Sequence, residues 1–357
     1  MHQFFEVPLK PIFLLQQQHL SKLTLSTFDV YCQGFLKAFK TWPQLPLPPE
    51  SELAWWETLL GNKSQDCQDK EVIKALTAAL PQLRLPQVQG ISKSEIYRAL
   101  VLRGDDPEKP ELQDAINQLG CVPQWQQPEN IKLWITPHPC GAMPVLETPN
   151  LHDFVLLVRA LAHRAEPVVI ADGVHAQAIS GLIHRGLIKQ LGQNSRARLI
   201  VLHDAPYGSV PTKHVPGKLT DLEWLEASTT LRLQHELTHL ATKRLLGEMR
   251  LNLLDELIAD CMGMVAALGF FDANLFGLCL GIDVQNDDAP LANGRWISYV
   301  GGLSSEESFT ANRLVLKRAK ELECQLLREK QLLHPNQAMQ RLQWLCKQQL
   351  NMPISAP

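Results

Sequence analysis

The feature that most restricts the fold is one long helical pattern carrying a polar motif. Thr220-Asp221-Leu222-Glu223 reads as a capping box, with Thr220 at the N-cap and Glu223 at N3, and Gly247 can end the helix. No proline interrupts, and Leu222, Leu225, Leu233, Leu237, Leu240 and Leu245 supply apolar positions. Inside this helix stands His235-Glu236-Leu237-Thr238-His239. Residues four apart share a helix face, so both imidazoles can point at one metal ion. Glu236 is turned about 100° from its neighbour, which lets it hold a metal-bound water instead of the metal. Two ligands do not close a metal site, so a third must come from elsewhere in the chain.

The next segment offers one. Asn252 can cap a second helix with Leu254, Ile258, Cys261, Val265 and Leu268 along its apolar face. Glu256 and Asp260 are adjacent on that helix, and a carboxylate pair beside an apolar face is unfavourable without a cation. A zinc ion on two imidazoles supplies the cation. Glu256 can be the third ligand, leaving the fourth position to water, and Asp260 can accept a ring N–H from a ligand histidine. The plainer alternative is a solvated i, i+4 acidic pair. Asp255 lies about 100° from Glu256 around the helix, so the two should not face one ion, and Asp255 is expected to matter little.

His235-Glu236-Leu237-Thr238-His239 followed by Glu256-Leu257-Ile258-Ala259-Asp260 resembles the gluzincin branch of the zincin metallopeptidases, over about residues 219–270 only. The resemblance implies one Zn2+ per chain on His235, His239 and Glu256, with Glu236 as general base and Asp260 behind a ligand. It further implies an edge strand above the metal helix, against which an extended substrate pairs. Ala197–His203 is the strand best placed to be that edge, with the segment from His203 to Gly208 overhanging the cleft. The family's downstream Tyr or His that polarises the substrate carbonyl has no match by motif. Candidates for an oxyanion-stabilising donor are Tyr207, His203, His214 and Tyr299. Arg244 and Arg250 flank the two helices and are expected to screen acids or to bind a substrate carboxylate.

The rest of the chain frames this core. Its 357 residues, 45% hydrophobic and 20% charged, can bury a large core without staples. A formal charge of -3 provides no basic field, so neither nucleic acid nor an anionic membrane is an expected partner. The eight cysteines include no C-x-x-C pair and read as reduced thiols of a cytoplasmic protein. Met1–Pro8 lacks a signal-peptide plan, and Asp272 and Asn274 interrupt the most apolar stretch, Met262–Ile282, so no membrane span is expected.

Residues 1–130 read as an N-terminal helical domain. Phe28, Tyr31, Phe35 and Phe39 recur at helical spacing, and Pro43, Pro46, Pro48 and Pro49 make a stiff connector near 43–49. Helices follow from Glu52 and over Val72–Leu80, then two short ones between Ser92 and Gly120, where acids match bases and a DNA-binding reading fails. Residues 131–270 form the metal-binding core. There, strands Ile131–Ile135, Pro167–Ala171 and Ala197–His203 alternate with helices Leu151–His163 and Val174–Leu191, ahead of the two helices at 220–246 and 252–268. Residues 271–357 form a helical, charge-laced tail with a break at His334-Pro335.

The expected fold class is therefore α+β and mostly helical: a zincin-like metal core with a small α/β layer, between an N-terminal helical domain and a C-terminal helical segment. The expected function is a zinc-dependent hydrolase, a metallopeptidase cutting a peptide or small amide with Glu236 as base. Two alternatives stand beside it: a metal-stabilised binding or maturation protein that cleaves nothing, and a zinc enzyme acting on a small molecule. The N-terminal region offers room for a protein partner.

Overall fold

A computed structural model describes residues 26–35, 37–61, 71–170, 173–182, 189, 197–283, 289–290 and 294–357. Its helices are α1 (Thr27–Cys32), α2 (Leu53–Leu60), α3 (Glu71–Ala79), α4 (Pro110–Leu119), α5 (Leu151–Ala162), α6 (Asp221–Leu246), α7 (Leu253–Leu268), α8 (Ala273–Leu280), α9 (Ser305–Arg328) and α10 (Ala338–Leu345). A further helical stretch runs from Glu95 to Arg103. Four strands, β1 (Lys132–Thr136), β2 (Met143–Thr148), β3 (Ala176–Leu182) and β4 (Ala197–His203), form a sheet in the order β1-β2-β4-β3. β2 and β4 run parallel, with Val145 opposite Ile200, while the two outer pairings are antiparallel. The chain is thus α+β and mostly helical.

The sheet is a wall between two layers. Side chains alternate along a strand, and β4 uses both of its faces. Leu199 and Val201 join Leu133, Leu146, Phe154, Leu157 and Leu161 under α5. Ile200 and Leu202 meet Val145, Leu237 and Leu240, which seats α6 on the opposite face. Trp56, Ile73, Leu76 and Leu80 also pack into the core under α5, so the helices before the sheet share its core.

α7 lies against α6 and is buried along nearly its whole length. Its Leu254, Leu257, Ile258 and Cys261 share one core with Val315, Leu316 and Leu322 of α9 and Leu342 and Leu345 of α10. A helix surrounded this way becomes core on every side. Gly263 sets how close the two helices come, because a Cβ there would lie 2.7 Å from the Leu231 carbonyl oxygen. Gly263→Ala is expected to cost ~1–3 kcal/mol in urea unfolding, as overpacking does. A stability equal to wild type would show that the helix pair relaxes freely.

Three sequence expectations need correction. The expected helix Val174–Leu191 gives way over its first part to a strand: residues 176–182 form β3, and 183–188, 190 and 191 lie outside the described residues. Pairing with β4, from Ala176 opposite Leu202 onward, overrides the helical pattern. Residues 167–170 of the expected strand Pro167–Ala171 join no sheet, and Ala171 is not described. Arg164 and Ala165, both at positive φ, turn the chain away after α5, and Val169 is 91% exposed. Ala197–His203 is a strand, but it is interior; the edge beside it is β3.

The N-terminal aromatic helix is also shorter than expected. α1 starts at a Ser26–Asp29 capping box and stops at Cys32, because the following chain passes tightly along the C-terminal segment. A Cβ on Gly34 would clash with the Gln348 carbonyl, and Leu350 N–H donates to the Cys32 carbonyl. Among the described residues no single helix is long and apolar enough to cross a membrane, and Met262–Ile282 is split between α7 and α8 at a bend of 120°. All seven described cysteines are free, and Cys67 lies outside the described residues.

Candidate metal centre

α6 forms as its caps require. Thr220 Oγ1 accepts from Glu223 N–H, the Glu223 carboxylate accepts from Thr220 N–H, and Gly247 ends the helix at φ 75°. His235 and His239 therefore project from one face, against α7. Their Nε2 atoms lie 3.0 Å apart, and the Glu256 carboxylate meets them from α7 at 3.5 Å from His235 Nε2 and 3.3 Å from His239 Nε2. One ligand atom from each of the three residues fits within 4.8 Å, all three side chains are buried, and the group could hold a metal ion.

The far side of each imidazole explains why a cation fits. His235 Nδ1 donates to Asp260 Oδ1 at 2.6 Å, and His239 Nδ1 faces Asp255 Oδ2 at 3.4 Å. With a proton on each Nδ1, both Nε2 lone pairs and a carboxylate oxygen converge on one point. Such a point has to hold something positive, either a shared proton or a metal ion. Charge leads to the same conclusion. Asp255, Glu256 and Asp260 are at most 1% exposed, and among the described residues, histidines aside, the cationic side chain paired with Glu256 and Asp260 is Arg295, which does not pair with Asp255. Burial alone would lower the His239 pKa, yet Asp255 and Glu256 raise it well above the ordinary imidazole value. Burial alone would raise that of Glu256, yet His235, His239 and Arg295 hold it at about 2.

Asp255 lies nearer the site than its place on the helix suggested. It does not face the same point as Glu256, as the helical rotation requires, but its Oδ2 lies 3.4 Å from His239 Nδ1, at ion-pair distance behind that ring, where Asp260 makes a 2.6 Å hydrogen bond behind His235. The turn before α7 places it there: Arg250 N–H and Leu251 N–H, with Leu251 at φ 52°, both donate to Asp255 Oδ2 at 3.0 Å. Asn252 caps the helix on Asp255 N–H.

Arg295 carries no sequence signal; it follows Gly294 in a short 3-10 turn, Arg295–Tyr299. Its terminal nitrogen NH2 lies 3.2 Å from Glu256 Oε2 and 3.2 Å from Asp260 Oδ2. The guanidinium stands 5.2 Å from the Tyr207 ring centroid and 5.9 Å from that of Tyr299. Arg232, also without a signal, is buried and ties α6 to the end of β4 through the carbonyls of His203 and Ala205.

Glu236 is half-buried and lines a cavity of about 120 Å³ with His235, Tyr207, Arg232, Arg295, Tyr299, His175 and Ala176, the first residue of β3. A larger cavity of about 710 Å³ adjoins it and shares Gly173, Val174, Gly208, Arg295 and Ser298. The four candidate donors separate here. Tyr207 is buried and donates its hydroxyl to Asp260, behind His235. His203 Nδ1 faces His175 Nδ1 at 2.9 Å. His214 is exposed and lines the larger cavity. Tyr299 lines the small one, and burial together with the Glu256 carboxylate raises its pKa well above the usual phenol value.

Arg244 and Arg250 line neither cavity. Arg244 holds Glu50 and the carbonyls of Cys140 and Pro48, which fixes the proline-rich connector, and Arg250 reaches the Val30 carbonyl.

In comparisons with known proteins, the model of one family matches residues 14–197 and 193–355, and that family is described as a family of unknown function, DUF7005. No curated protein and no solved structure matches.

Proposed function

The chain belongs to the DUF7005 family of unknown function, so its activity has to be read from this site, and we propose that it is a zinc-dependent hydrolase of the metallopeptidase kind. The observation that carries the reading is the convergence of His235, His239 and Glu256 beside a cavity that Glu236 also lines. Two imidazoles and one carboxylate, with a position left over, suit catalytic zinc, and a gluzincin-like core agrees with the helix pair that brings them together. Zinc held there would act as a Lewis acid and bring the pKa of a water near neutrality.

The chain's own groups do the rest. Asp260 and Asp255 fix the tautomers of His235 and His239. Glu236 accepts a proton as the water oxygen bonds to the carbonyl carbon, and returns it to the nitrogen as the C–N bond breaks. An extended peptide is the substrate best suited to the surroundings. Ala176, the first residue of β3, lines the cavity, and β3 is a sheet edge whose outer backbone groups can pair with a strand laid along it.

The test is zinc-loaded protein against a diverse quenched-fluorescent peptide library, with chelated protein as control. Zinc-dependent cleavage is the expected outcome. A protein that holds one zinc and cuts nothing leaves the non-catalytic alternative standing.

The two carboxylates behind the histidines give a second expectation. Glu256→Ala removes most zinc affinity, whereas Asp260→Asn and Asp255→Asn each weaken it ~10–100-fold, the usual effect of altering a group that orients a ligand. Competition with a chromophoric chelator measures all three. Wild-type affinity in Asp255→Asn would restore the idle role that helical rotation suggested.

A further inference from the structure

A hydrolase of this kind needs a donor where the carbonyl oxygen becomes an oxyanion. We propose that this donor is Arg295, a role that rests on the zinc-hydrolase reading of the site. The four residues that the sequence offered are placed or engaged otherwise. The Tyr207 hydroxyl lies at His235 Nδ1, on the far side of the imidazole from the converging Nε2 atoms. His203 meets His175. His214 lines the larger cavity and not the small one. Tyr299 is nearest in kind, but its phenol faces the Glu256 carboxylate.

Arg295 has what the others lack. Only its NH2 nitrogen is bonded to Glu256 and Asp260, and a guanidinium carries five N–H groups. Its Nε is buried and has no hydrogen-bond partner among the described residues, while the side chain as a whole keeps 22% of its surface open. The residue lines both cavities and so stands at their junction, beside a candidate ligand and sharing the small cavity with Glu236; the other guanidinium there, Arg232, has its NH1 and NH2 held by the carbonyls of His203 and Ala205. The two aromatic rings and the two carboxylates hold its orientation before any substrate arrives. In the addition step the water oxygen bonds to the carbonyl carbon, the C=O π pair moves onto oxygen, and the proton goes to Glu236. Arg295 donates N–H to that oxygen and keeps its own proton throughout. The pair returns to re-form C=O as the C–N bond breaks.

Inorganic phosphate serves as a tetrahedral anion probe, and cobalt(II) in place of zinc gives a visible spectrum that reports anions entering the site. Metal content is measured alongside for wild type, Arg295→Met, Arg295→Lys and Tyr299→Phe. Arg295→Met is expected to keep one cobalt and lose at least ~10-fold in phosphate affinity, as loss of a positioned anion donor requires. Arg295→Lys should recover part of it, and Tyr299→Phe should stay near wild type.

Wild-type phosphate affinity in Arg295→Met overturns the assignment, as does a cobalt-loaded wild type that ignores phosphate. A loss confined to Tyr299→Phe transfers the role to that residue. If Arg295→Met sheds cobalt, Arg295→Lys decides: metal retained with wild-type phosphate affinity means that Arg295 only neutralises Glu256 and Asp260. A wild type that binds no metal at all defeats the zinc reading itself, a separate result.

Discussion

Zinc-loaded protein is expected to melt well above chelated protein, and His235→Ala or His239→Ala to abolish both the bound zinc and that difference. The reason is the charge balance of the helix pair. Asp255, Glu256 and Asp260 are buried in the contact between α6 and α7, and leaving buried charge uncompensated is costly. A ligand bound to the folded state alone adds about 2.7 kcal/mol at a hundredfold excess of free zinc over Kd. Removing either imidazole takes away a ligand and leaves its partner carboxylate, Asp260 or Asp255, facing a void. Elemental analysis after zinc reconstitution, read with a thermal melt, decides the matter. Fewer than roughly one zinc in ten chains, or a melt indifferent to chelator, would sink the metal site.

Glu236→Gln is expected to keep zinc and fold while hydrolysis falls by ~10²–10⁴-fold, the usual effect of losing a positioned acid–base group. Glu236 lines the cavity and stands outside the His235, His239 and Glu256 ligand group, and Gln keeps its shape while losing the basic carboxylate. Zinc content and kcat have to be read together. A variant that loses zinc with activity makes Glu236 a ligand or a support, and one that keeps full activity moves the base elsewhere.

Much of this site is legible along the chain because its parts are local. Thr220, Glu223 and Gly247 bound α6 through hydrogen bonds within a few residues, and Asn252 does the same for α7. The i, i+4 spacing puts His235 and His239 on one face, and Glu256 with Asp260 on another, in any helix they occupy. The mostly helical α+β class follows from the same periodicities.

Asp255, Arg295 and the sheet edge were decided by tertiary structure. Helical rotation correctly separates Asp255 from Glu256, but a metal pocket is wider than its ion, and the back of His239 offers Asp255 a place that spacing along one helix does not reveal. Arg295 reaches the site from 35 residues beyond Asp260, out of a short turn with no periodic signature. The edge went to β3 because Ala176–Leu182 gains its partners only from β4, a pairing that outweighs its local helical pattern. Local geometry needs only neighbours in sequence, and it could be read from the chain. Which carboxylate backs which histidine, which cation completes the cluster and which strand faces outward depend on contacts between distant segments, and only packing set those.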